Sequence, residues 1–541
     1  AYRTGGAGRR LFYVLILMPA LMVAQVTQEW VQRYNGPVDG NDVARIVKVD
    51  ALGNVYVTGH GFGIGSNIDY VTIKYNSSGV IQWVQRYNGL IVSGPDYAFA
   101  MAIDDSSNVI VTGRSSGISS DDFATIKYNT FGVQQWVQRY NSGDDVANSI
   151  SIDQQGNVYV TGPSWLFETE NDYATVKYNS MGVQQWVHKF NWQGNSNDYP
   201  HSMDIDDSGN VFVTGSSFVN ANIDCLTIKY NSLGILQWAK RYNGPANSDD
   251  IGNSIIIDPT GFVYVTGFTG GSNSDYLTIK YNSAGTEQWV QFYNGSGSGP
   301  DFAHSIKVDL MGNILVTGEG FESGTYYDYT TIKYNSSGIQ QWVQRYNGPA
   351  NNSERVFNLV LDELGNVYVT GHSFGIYDDY ATVKYNSSGV EQWVQRYNGT
   401  GNNNDWAYSI VVDNLGNVYV TGTSDGTGTL KDYATIKYSQ TIGIKQISTE
   451  VPEKFSLEQN YPNPFNPVTR IKFDVPTKVN SNISLRIFDV LGREVEILVN
   501  ESLKPGTYEA EWDANNFSTG IYFYTLLAED FRQTKRMVLV K

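Results

Sequence analysis

The sequence predicts an all-β protein in which an eight-bladed β-propeller is followed by a small Ig-like β-sandwich. Three observations predict this fold class. The composition, with 38 Tyr, 54 Gly and only 17% charged residues, favours strands joined by tight turns. A tryptophan-containing motif returns about every 50 residues, a period typical of propellers. The repeat then stops, and the last part of the chain has a different pattern of short strands.

The first 24 residues have the pattern of a secretory signal peptide. Arg3, Arg9 and Arg10 precede an apolar run over 11–23, and the small residue Ala24 follows it. No later stretch of the sequence approaches the roughly 20 apolar residues that a transmembrane helix needs. We therefore expect cleavage near Ala24 and a mature chain without a transmembrane segment.

Charge and cysteine content narrow the classes of partner and the sources of stability. The chain has 54 acidic and 37 basic side chains, which gives a net charge of −17. Because such a chain repels phosphate backbones, we expect no nucleic-acid partner. Cys225 is the only cysteine, so no disulfide can form within the chain. It stands where other repeats have an aromatic residue, which predicts a packed thiol.

The motif QWVQRYN, with substitutions in some copies, occurs eight times. Successive copies are 53, 53, 50, 52, 51, 53 and 51 residues apart, which leaves room in each period for four short strands and their turns. The tryptophans of these copies are Trp30, Trp83, Trp136, Trp186, Trp238, Trp289, Trp342 and Trp393.

Four strands are predicted in each period. The first resembles DVANSISID at 145–153, the second GNVYVTG at 53–59, and the third DYATVKYN at 379–386, while the fourth carries the tryptophan. The turn NSSG at 76–79 supplies the Asn and Gly that a tight hairpin requires. Each period is therefore predicted to form one four-stranded antiparallel sheet.

The first strand predicts how these sheets pack. Alternate residues of a strand project to opposite faces, so Phe99 and Met101 should share one face while Ala98 and Ala100 share the other. We expect the bulky face of each sheet to meet the small face of its neighbour around a common axis. Stacking in an open solenoid is the main alternative, but atypical capping repeats are not apparent in the sequence.

The two ends of the repeat region complement each other. The last third-type strand, 432–438, is not followed by a tryptophan strand, whereas the chain begins at Gln28 with an isolated QEWVQRYN. We expect the N-terminal strand to complete the last sheet, so that residues 25–438 form a closed ring without an unpaired blade. A polar linker over 439–453 is predicted to follow.

A second domain is predicted over 454–541. Its strands are expected at RIKFDV, ISLRIFDV, REVEILV, TYEAEWD, GIYFYTLL and KRMVLVK, which would form a small antiparallel sandwich. From this strand pattern alone, the domain could serve as an Ig-like spacer or as a sugar-binding module.

The segment 455–541 resembles the C-terminal sorting domain of the type IX secretion system. The resemblance lies in FSLEQNYPNPFNPVTRIKF, FDVLGREV, LKPGTYEAEWDA, STGIYFYTL and the closing KRMVLVK, which occur in the order typical of that family. It implies Sec export, recognition by an outer-membrane translocon, and secretion or display at the cell surface. The residues that match the family motifs are Pro462, Asn463, Pro464, Gly492, Gly506, Gly520, Lys535, Arg536 and Lys541.

The repeats are in turn similar to the bacterial β-propeller repeat family, which implies a fold and little about activity. Loop lengths indicate where a ligand could bind. The segments after V-T-G and after R-Y-N-G vary in length between repeats, whereas the D-x-x-G-N and N-S-S-G turns hardly change. Alternating strand direction places both variable sets on one rim, which is where we expect a site.

Two sets of carboxylates are predicted on this rim, one before each first strand and one before each third strand. We expect each of them to accept backbone N–H groups and fix its turn. Calcium binding is the alternative, but no loop has a recognised calcium-ligand spacing, so no cofactor is predicted. The first set is Asp42, Asp96, Asp145, Asp198, Asp250, Asp301, Glu354 and Asp405, and the second is Asp69, Asp122, Asp172, Asp224, Asp275, Asp328, Asp379 and Asp432.

Aromatic residues of the variable loops are the other candidates, because their rings could stack on sugars while Asn and Asp bind hydroxyls. Packing of these rings against the rim is the alternative. The segment WLFETEND at 165–172 combines a tryptophan with acids and is the preferred location. The candidate ligand-face residues are Trp165, Phe167, Glu168, Glu170, Trp192, Tyr326, Tyr377 and Trp406.

These observations predict an exported propeller that binds an extracellular carbohydrate or protein. A structural surface or adhesion module without a discrete ligand is one alternative, and a polysaccharide hydrolase or lyase is another. The sequence has no nucleophile elbow, P-loop, Cys–His metal pattern or dinucleotide fingerprint. His201 and His304 occupy the same position of two repeats and are expected to pack rather than to act as ligands. We therefore predict a protein without enzymatic activity.

Overall fold

The computed structural model describes residues 25–541, apart from 194–195, 220–221, 271–272, 442–443, 449, 477–482, 502, 515–516 and 529. The described residues form β-strands and loops and contain no α-helix, which confirms the all-β prediction. None of their elements is a helix long and apolar enough to cross a membrane. The predicted signal peptide, 1–24, lies outside the described residues. The chain divides into a repeat unit, Val26–Gln440, and a C-terminal unit that contains Thr441–Lys541.

Thirty-two strands belong to the repeat region, most of them seven to nine residues long. The first sixteen are β1 Gln25–Tyr34, β2 Val43–Val49, β3 Val55–Phe62, β4 Ile68–Tyr75, β5 Ile81–Tyr87, β6 Asp96–Ile103, β7 Val109–Ser116, β8 Asp121–Tyr128, β9 Gln134–Tyr140, β10 Ser149–Ile152, β11 Val158–Leu166, β12 Glu170–Tyr178, β13 Gln184–Phe190, β14 Asp198–Ile205, β15 Val211–Val219 and β16 Asn222–Tyr230. The next sixteen are β17 Leu236–Tyr242, β18 Asp250–Ile257, β19 Val263–Thr269, β20 Asp275–Tyr281, β21 Glu287–Tyr293, β22 Phe302–Val308, β23 Ile314–Glu322, β24 Tyr326–Tyr334, β25 Gln340–Tyr346, β26 Glu354–Leu361, β27 Val367–Phe374, β28 Asp378–Tyr385, β29 Glu391–Tyr397, β30 Asp405–Val412, β31 Val418–Asp425 and β32 Lys431–Thr441.

Among the described residues, these strands form eight four-stranded sheets. Sheets one to seven each take four consecutive strands, from β2–β5 in sheet one to β26–β29 in sheet seven. Sheet eight has the order β1-β32-β31-β30, so it combines strands from the two ends of the repeat region. Each sheet therefore has a first-type strand at one edge and a tryptophan strand at the other.

The sequence motifs explain these strands locally. Val55, Tyr56 and Val57 of β3 are fully buried, because the second strand of each sheet has neighbours on both sides and on both faces. The Asp50 carboxylate accepts the backbone N–H groups of Leu52 and Asn54 at 3.0 and 2.9 Å, and this side-chain capping closes the turn that leads into β3. Equivalent contacts recur in the other D-x-x-G-N turns.

The core of the repeat unit lies between neighbouring sheets. Tyr56 of sheet one packs with Met101 of sheet two, and Tyr433 of sheet eight packs with Val47 of sheet one. The first-type strands contact one another in succession from β2 to β30, and β30 contacts β2 again. The series of contacts thus returns to its start.

The N-terminal strand β1 pairs with β32 through its backbone, and its side chains also contact sheets one and eight. The ring of Trp30 lies 6.1 Å from those of Tyr75 and Tyr419, and so contacts sheets one and eight. Arg33 Nη2 lies 2.9 Å from Asp432 Oδ2 of β32. The isolated QEWVQRYN segment therefore occupies the outer position of sheet eight.

A β-bulge changes the first-type strands from the predicted pattern. In sheet two the register shifts between Ala98 and Ala100, so Phe99 is an extra residue without a partner in β7. The same shift occurs in six of the other sheets. The prediction that large side chains share one face and small side chains the other was therefore wrong for this part of the strand. A bulge rotates the residues on either side of it, so the alternation is interrupted there.

The C-terminal unit is formed by eight strands in two four-stranded sheets, with strands at all six predicted positions. The first sheet has the order β33-β38-β35-β34 and the second β37-β36-β39-β40. Trp512, Phe473 and Tyr524 are among the side chains buried in its core. The strands are β33 Ile444–Ser448, β34 Ser456–Leu457, β35 Val468–Val475, β36 Ile483–Phe488, β37 Glu494–Glu501, β38 Gly506–Asp513, β39 Gly520–Ala528 and β40 Phe531–Leu539.

Part of the segment predicted as a linker is also regular. β32 extends to Thr441, and β33 pairs with β38 in an antiparallel register that joins Ile444 to Ala510. The segment 439–453 thus contains residues of two strands, because backbone pairing with an available edge outweighs its polar composition.

Candidate functional site

The carboxylates before the first-type strands are engaged in turn contacts. The Asp42 carboxylate accepts the backbone N–H of Gly36 at 2.5 Å, and Asp96 accepts that of Gly89 at 2.7 Å. The contact of Asp42, with a residue six positions back along the chain, recurs in sheets four, five, six and eight. Burial raises the pKa of Asp42 to about 6 and that of Glu354 to about 8. These acids fix the connections between sheets.

Five of the carboxylates before the third-type strands pair with an arginine of the tryptophan strand. Arg139 Nη2 lies 2.7 Å from Asp122 Oδ2, and its Nη1 donates to the hydroxyl of Tyr87 in the preceding sheet at 2.9 Å. The arginine therefore joins the outer edges of two neighbouring sheets. Equivalent ion pairs are Arg33–Asp432, Arg86–Asp69, Arg241–Asp224 and Arg396–Asp379. In the described part of the chain no group of three or more His, Cys, Asp and Glu residues could hold a metal ion.

Hydrogen bonds join the two sets of variable loops. Asn67, in the loop before β4, donates to the carbonyl of Ser93 in the connection between sheets one and two, at 3.4 Å. Asn171 and Asn197 make the corresponding contact at 2.7 Å further along the chain. The loops that follow V-T-G and R-Y-N-G therefore lie next to each other, as alternating strand direction predicts.

In seven of the eight first-type strands of the described residues, the bulge residue follows three residues after the acid that fixes the connection. It varies between sheets and includes charged and aromatic side chains. Because it has no partner in the ladder, a bulge residue is free to aim its side chain differently from its neighbours. The residues at this position are Arg45, Phe99, His201, Asn253, His304, Phe357 and Tyr408.

Three bulge residues meet further aromatic and basic side chains at one place, where sheets seven, eight and one adjoin. We call this group the basic aromatic cluster. Its members are Arg45, Phe357, His372, Trp406, Tyr408 and Lys431.

Ring contacts connect the members of the cluster. The ring of Phe357 lies 5.5 Å from those of His372 and Tyr408, and His372 lies 6.0 Å from Trp406. The two cations lie over aromatic faces. Lys431 Nζ is 3.5 Å from the Trp406 ring centre, and the Arg45 guanidinium carbon is 4.9 Å from that of Tyr408. Such cation–π contacts strengthen when they are partly shielded from water.

Additional polar groups border the cluster. Trp406 Nε1 donates to Asp378 Oδ2 at 2.7 Å, which fixes the indole. Glu319 Oε1 lies 3.6 Å from His304 Nε2 and 3.9 Å from Arg355 Nε. Arg355 is 56% exposed, so the border of the cluster is open to solvent.

Several nitrogen atoms here lack a hydrogen-bond partner. Each of these atoms has almost no solvent-accessible surface, and leaving such a polar group without a hydrogen bond costs free energy. Among the described residues they include Arg45 Nε, His60 Nδ1, His304 Nε2, His372 Nδ1 and Lys431 Nζ. His60, on β3, is 6% exposed and packs edge-on to Tyr97.

Burial keeps the imidazoles of His60 and His372 neutral by lowering their pKa values. It lowers the pKa of His60 to about 3, and the charge of Arg45 acts in the same direction. Burial also lowers the pKa of His372 to about 4, against the opposing effect of Asp378. Neutral imidazoles offer one donor and one acceptor each, which suits the hydroxyl groups of a sugar.

The candidate ligand-face residues predicted from the sequence do not form one group. Only Trp406 belongs to the basic aromatic cluster. Trp165, Phe167, Glu168 and Glu170 lie at the β11–β12 hairpin of sheet three, with Phe167 88% exposed. Glu170 accepts a hydrogen bond from Asn197 in the adjacent connection.

The other three lie at separate positions of the loops. Trp192, whose backbone N–H donates to Asp198 at 2.7 Å, belongs to the connection between sheets three and four. Tyr326 begins β24, with its ring 6.4 Å from that of Phe321, and Tyr377 lies between β27 and β28. Tyr326 and Tyr377 are both exposed. Each of these stays a candidate for ligand contact on its own loop.

Sequence reasoning missed most of the cluster. Arg45, Phe357 and Tyr408 occupy one position of the repeat, but the variation at that position gave no indication of a bulge. His372 and Lys431 come from other strands. A comparison of the repeats that noted the charged and aromatic substitutions at the bulge position could have found three of the six members.

A concave region with a volume of about 620 Å³ lies at the turns of nearly constant length in sheets one and two. It is lined by Asp50, Lys74, Trp83 and Phe131 among others. Lys74 Nζ and Trp83 Nε1 both donate to the carbonyl of Thr130, at 3.0 and 3.1 Å. Its polar groups thus have partners that join the two sheets, so we do not consider it the leading site.

In the C-terminal unit, the motif loop 461–465 lies against the last strand. The Asn463 side chain accepts the backbone N–H of Val538 at 3.0 Å, and Phe465 exchanges backbone hydrogen bonds with Val538 and Val540 at 3.0 and 2.9 Å. Pro462 and Pro464 belong to this loop, and Arg536 and Lys535 to β40. Two parts of the sorting motif that are about 70 residues apart therefore form one structural element.

The remaining motif residues lie at turns and strand ends. Gly492, in the β36–β37 turn, has φ +78°, a conformation that glycine adopts without strain. Gly506 and Gly520 begin β38 and β39. The backbone N–H of Lys541 donates to the Thr519 hydroxyl at 3.1 Å.

Comparison with known families defines the class of protein. Residues 135–165, 185–220, 237–273 and 392–428 match the family model described as a beta-propeller repeat. These four segments of the chain are therefore similar to β-propeller repeats. Residues 459–541 match the model of the secretion system C-terminal sorting domain, so the chain also carries a type IX sorting domain. No curated protein matches the sequence.

Similar solved structures share little sequence with this chain. A fungal alcohol oxidase of the AA5 family, in complex with copper, is 13% identical to this chain. The alignment covers 96% of this chain and 100% of the oxidase chain, with a TM-score of 0.40. Sqt1 from Chaetomium thermophilum is 7% identical to this chain. The alignment covers 77% of this chain and 100% of Sqt1, with a TM-score of 0.48. The polysaccharide lyase Uly1 is 12% identical to this chain. The alignment covers 65% of this chain and 92% of the Uly1 chain, with a TM-score of 0.39. At these values the likenesses carry no conclusion about function.

Proposed function

We propose that this chain is exported and presents a closed eight-bladed propeller, 25–438, that binds an extracellular carbohydrate at the basic aromatic cluster. The propeller repeats and the sorting domain support the route and the scaffold. The closed ring is supported by the contact of β30 with β2 and by the pairing of β1 with β32. A rigid scaffold of this kind holds side chains from several sheets in fixed positions.

One observation carries the assignment of the ligand. A connected group of aromatic rings lies at the end of the sheets where the variable loops are, and charged side chains at its border are open to solvent. Sugars combine apolar ring faces with hydroxyl groups, so they match aromatic surfaces that are bordered by donors and acceptors. A protein partner could use the same surface, and it is the outcome if no glycan binds.

The binding proposal is tested on a glycan array with the purified full chain. Specific signals that Trp406→Ala abolishes and Trp165→Ala leaves intact would support the cluster, whereas the reverse pattern would move the site to the β11–β12 hairpin. Absence of any specific glycan signal would contradict the proposal and favour a protein partner or an adhesion module. Release of shorter sugars from a bound polysaccharide would instead indicate a hydrolase or lyase.

For delivery, we propose that an N-terminal signal peptide, 1–24, directs the chain to the periplasm and that the 454–541 domain is recognised by the type IX translocon. The juxtaposition of the 461–465 loop with β40 supports recognition of the motif as one surface. A fusion of 455–541 to an inert passenger should reach the surface or medium of a host with this machinery. Retention in the periplasm would contradict the proposal.

A further inference from the structure

Three consecutive sheets carry a large apolar side chain at an exposed turn where other sheets have a small one. The position lies directly before the glycine of the turn between the third and fourth strands. In sheets two, three and four it holds Phe131, Met181 and Leu233, which are 81%, 73% and 72% exposed. The other turns of this kind have Ser78, Ala284, Ser337 and Ser388. The repeat therefore does not require a large side chain here.

The residue after each of the three glycines is apolar and exposed as well. We call the six side chains the turn patch. Exposed apolar surface of this extent opposes the hydrophobic effect unless another surface covers it. The members of the turn patch are Phe131, Val133, Met181, Val183, Leu233 and Ile235.

Tryptophans of the outer strands join the three turns into one row. Trp136 of β9 donates through Nε1 to the carbonyl of Ser180 at 3.2 Å, so sheet two is bonded to the turn of sheet three. Trp186 of β13 donates in the same way to Ser232, in the turn of sheet four, at 3.3 Å. A Cβ at Gly182 would lie 2.7 Å from the Trp136 ring, so the turn packs closely on the indole. The turn patch thus extends along three adjacent sheets.

The turn patch is uncharged in a chain whose net charge is −17. Its segments, 129–135, 179–185 and 231–237, contain no Asp, Glu, Lys or Arg. Two copies of an acidic chain repel each other, and the repulsion is smallest where their contact surfaces carry no charge. Depletion of charged residues is also typical of the centre of a protein interface. These properties favour a second copy of this chain as the occupant.

The exposed area is close to what a dimer requires. A side chain of this size has on the order of 100 Å² of apolar surface, and the six members are between 55% and 81% exposed, so they offer about 400 Å² together. A standard interface takes about 800 Å² from each partner, of which roughly 60% is apolar. The turn patch supplies most of that apolar area, and the exposed side chains of Gln135 and Gln185 beside it supply polar contacts.

We infer that the turn patch is a dimer interface, which joins two copies of this chain about a twofold axis near Met181. Met181 is the middle of the row, so this axis brings Phe131 of one copy opposite Leu233 of the other. Because strand direction alternates, these turns lie at the end of the sheets away from the variable loops. The dimer therefore leaves both sets of variable loops free, and two linked sites bind a repeating ligand with higher avidity.

Sedimentation velocity of the purified full chain, from about 1 to 100 μM, is the first test. Since interfaces of standard size have dissociation constants at or below the micromolar range, a dimer should form over this range. A twofold interface contains each side chain twice, so Met181→Ser should weaken the dimer at least about tenfold. Serine is the residue of other repeats at this turn position, and melting temperatures show that the variant is folded. Met311→Ser is the matched control, because Met311 is an exposed methionine in a turn of sheet six.

Cross-linking locates the axis. Cys225 is buried, so a cysteine introduced at the surface is the accessible thiol of the variant. Met181→Cys should form disulfide-linked dimers under mild oxidation at least tenfold faster than Met311→Cys at the same concentration. Reduction should restore the starting species.

Three results would overturn the inference. A chain that stays monomeric at every concentration would show that something other than a second copy covers the turn patch. A dimer that Met181→Ser leaves as strong as Met311→Ser does would place the interface elsewhere. Equal cross-linking of the two cysteine variants would exclude a twofold axis near Met181. None of these results bears on the proposed glycan site.

Discussion

Arg33 and Asp432 form an ion pair of 2.9 Å although they are separated by nearly the whole repeat region. Arg33 lies on β1 and Asp432 on β32, and Arg33 also donates to the Ser424 carbonyl at 2.7 Å. Arg139 makes the equivalent contacts within sheet two, where all four strands are consecutive. The same chemistry thus joins distant and neighbouring segments.

This pair predicts how firmly the N-terminal strand is held. Among the described residues, β1 continues into the repeat region only at its C-terminal end, whereas β9, which carries Arg139, continues into it at both ends. Arg33→Ala should therefore allow β1 to open, with a loss of about 1–3 kcal/mol in local stability and a roughly 10- to 100-fold faster amide exchange over 25–34. Hydrogen–deuterium exchange measures this effect, and Arg139→Ala is the matched control. Equal protection of 25–34 in both variants would contradict the role of Arg33.

Alanine substitutions at two glycines distinguish the cost of backbone strain from the cost of a steric clash. Gly132 and Gly416 have φ of +80° and +78°, but a Cβ at Gly132 would lie 2.8 Å from the Trp83 ring, whereas one at Gly416 would meet nothing within 4 Å. Gly416→Ala should cost about 1–2 kcal/mol from the left-handed conformation alone. Gly132→Ala should cost roughly 1–3 kcal/mol more, because the indole must move. Thermal or urea unfolding of both variants tests the difference, and equal losses would refute the clash.

Glu354 predicts a dependence of stability on pH. Burial and the nearby charge of Asp328 raise its pKa to about 8, against the opposing effects of Ser373, Gly348 and Arg396. The folded state therefore holds a proton that the unfolded state releases above its ordinary pKa near 4.5, so stability falls as the pH rises from about 4.5 to 8.

Glu354→Gln, which is neutral at every pH, should leave stability near pH 4 almost unchanged, because wild-type Glu354 is protonated in both the folded and the unfolded state there. At pH 8.5 it should make the protein more stable than the wild type by roughly 1–3 kcal/mol. Melting temperatures of both proteins at the two pH values give the comparison. Buried acids that do not contact position 354 affect both proteins alike, so the difference reports Glu354 together with its neighbour Asp328. An equal difference between the two proteins at both pH values would show that the Glu354 proton is not involved.

The sorting domain gives a prediction about Asn463. Its side chain accepts the Val538 N–H and donates to the Arg536 carbonyl at 3.5 Å, so Asn463→Ala should loosen the motif loop from β40. We expect several-fold less protein at the surface or in the medium, with a corresponding increase in the periplasm, measured by immunoblots of fractions from a host with type IX machinery. Arg470→Ala, on an exposed position of β35, is the control. Normal secretion of Asn463→Ala would contradict a role for this contact.

The sequence predicted the strands of the repeat region well because their information is local. The period, the V-T-G strand and the turns that contain Asn76 and Gly79 are each specified within a few residues. The sorting domain was recognisable for the same reason, since its motifs are contiguous. Trp406 was predicted as a candidate because an aromatic residue in a variable connection is visible in one repeat alone.

The sequence by itself determined the all-β class, the repeat and the sorting domain, because strand periodicity and turn chemistry act over short distances along the chain. Only the tertiary structure decided which side chains meet. A bulge redirects Arg45 and Tyr408, and contact of sheet eight with sheet one brings them within 4.9 Å although they are hundreds of residues apart. Side-chain direction at a bulge and contact between distant sheets depend on the packing of the whole ring, and no local pattern encodes them.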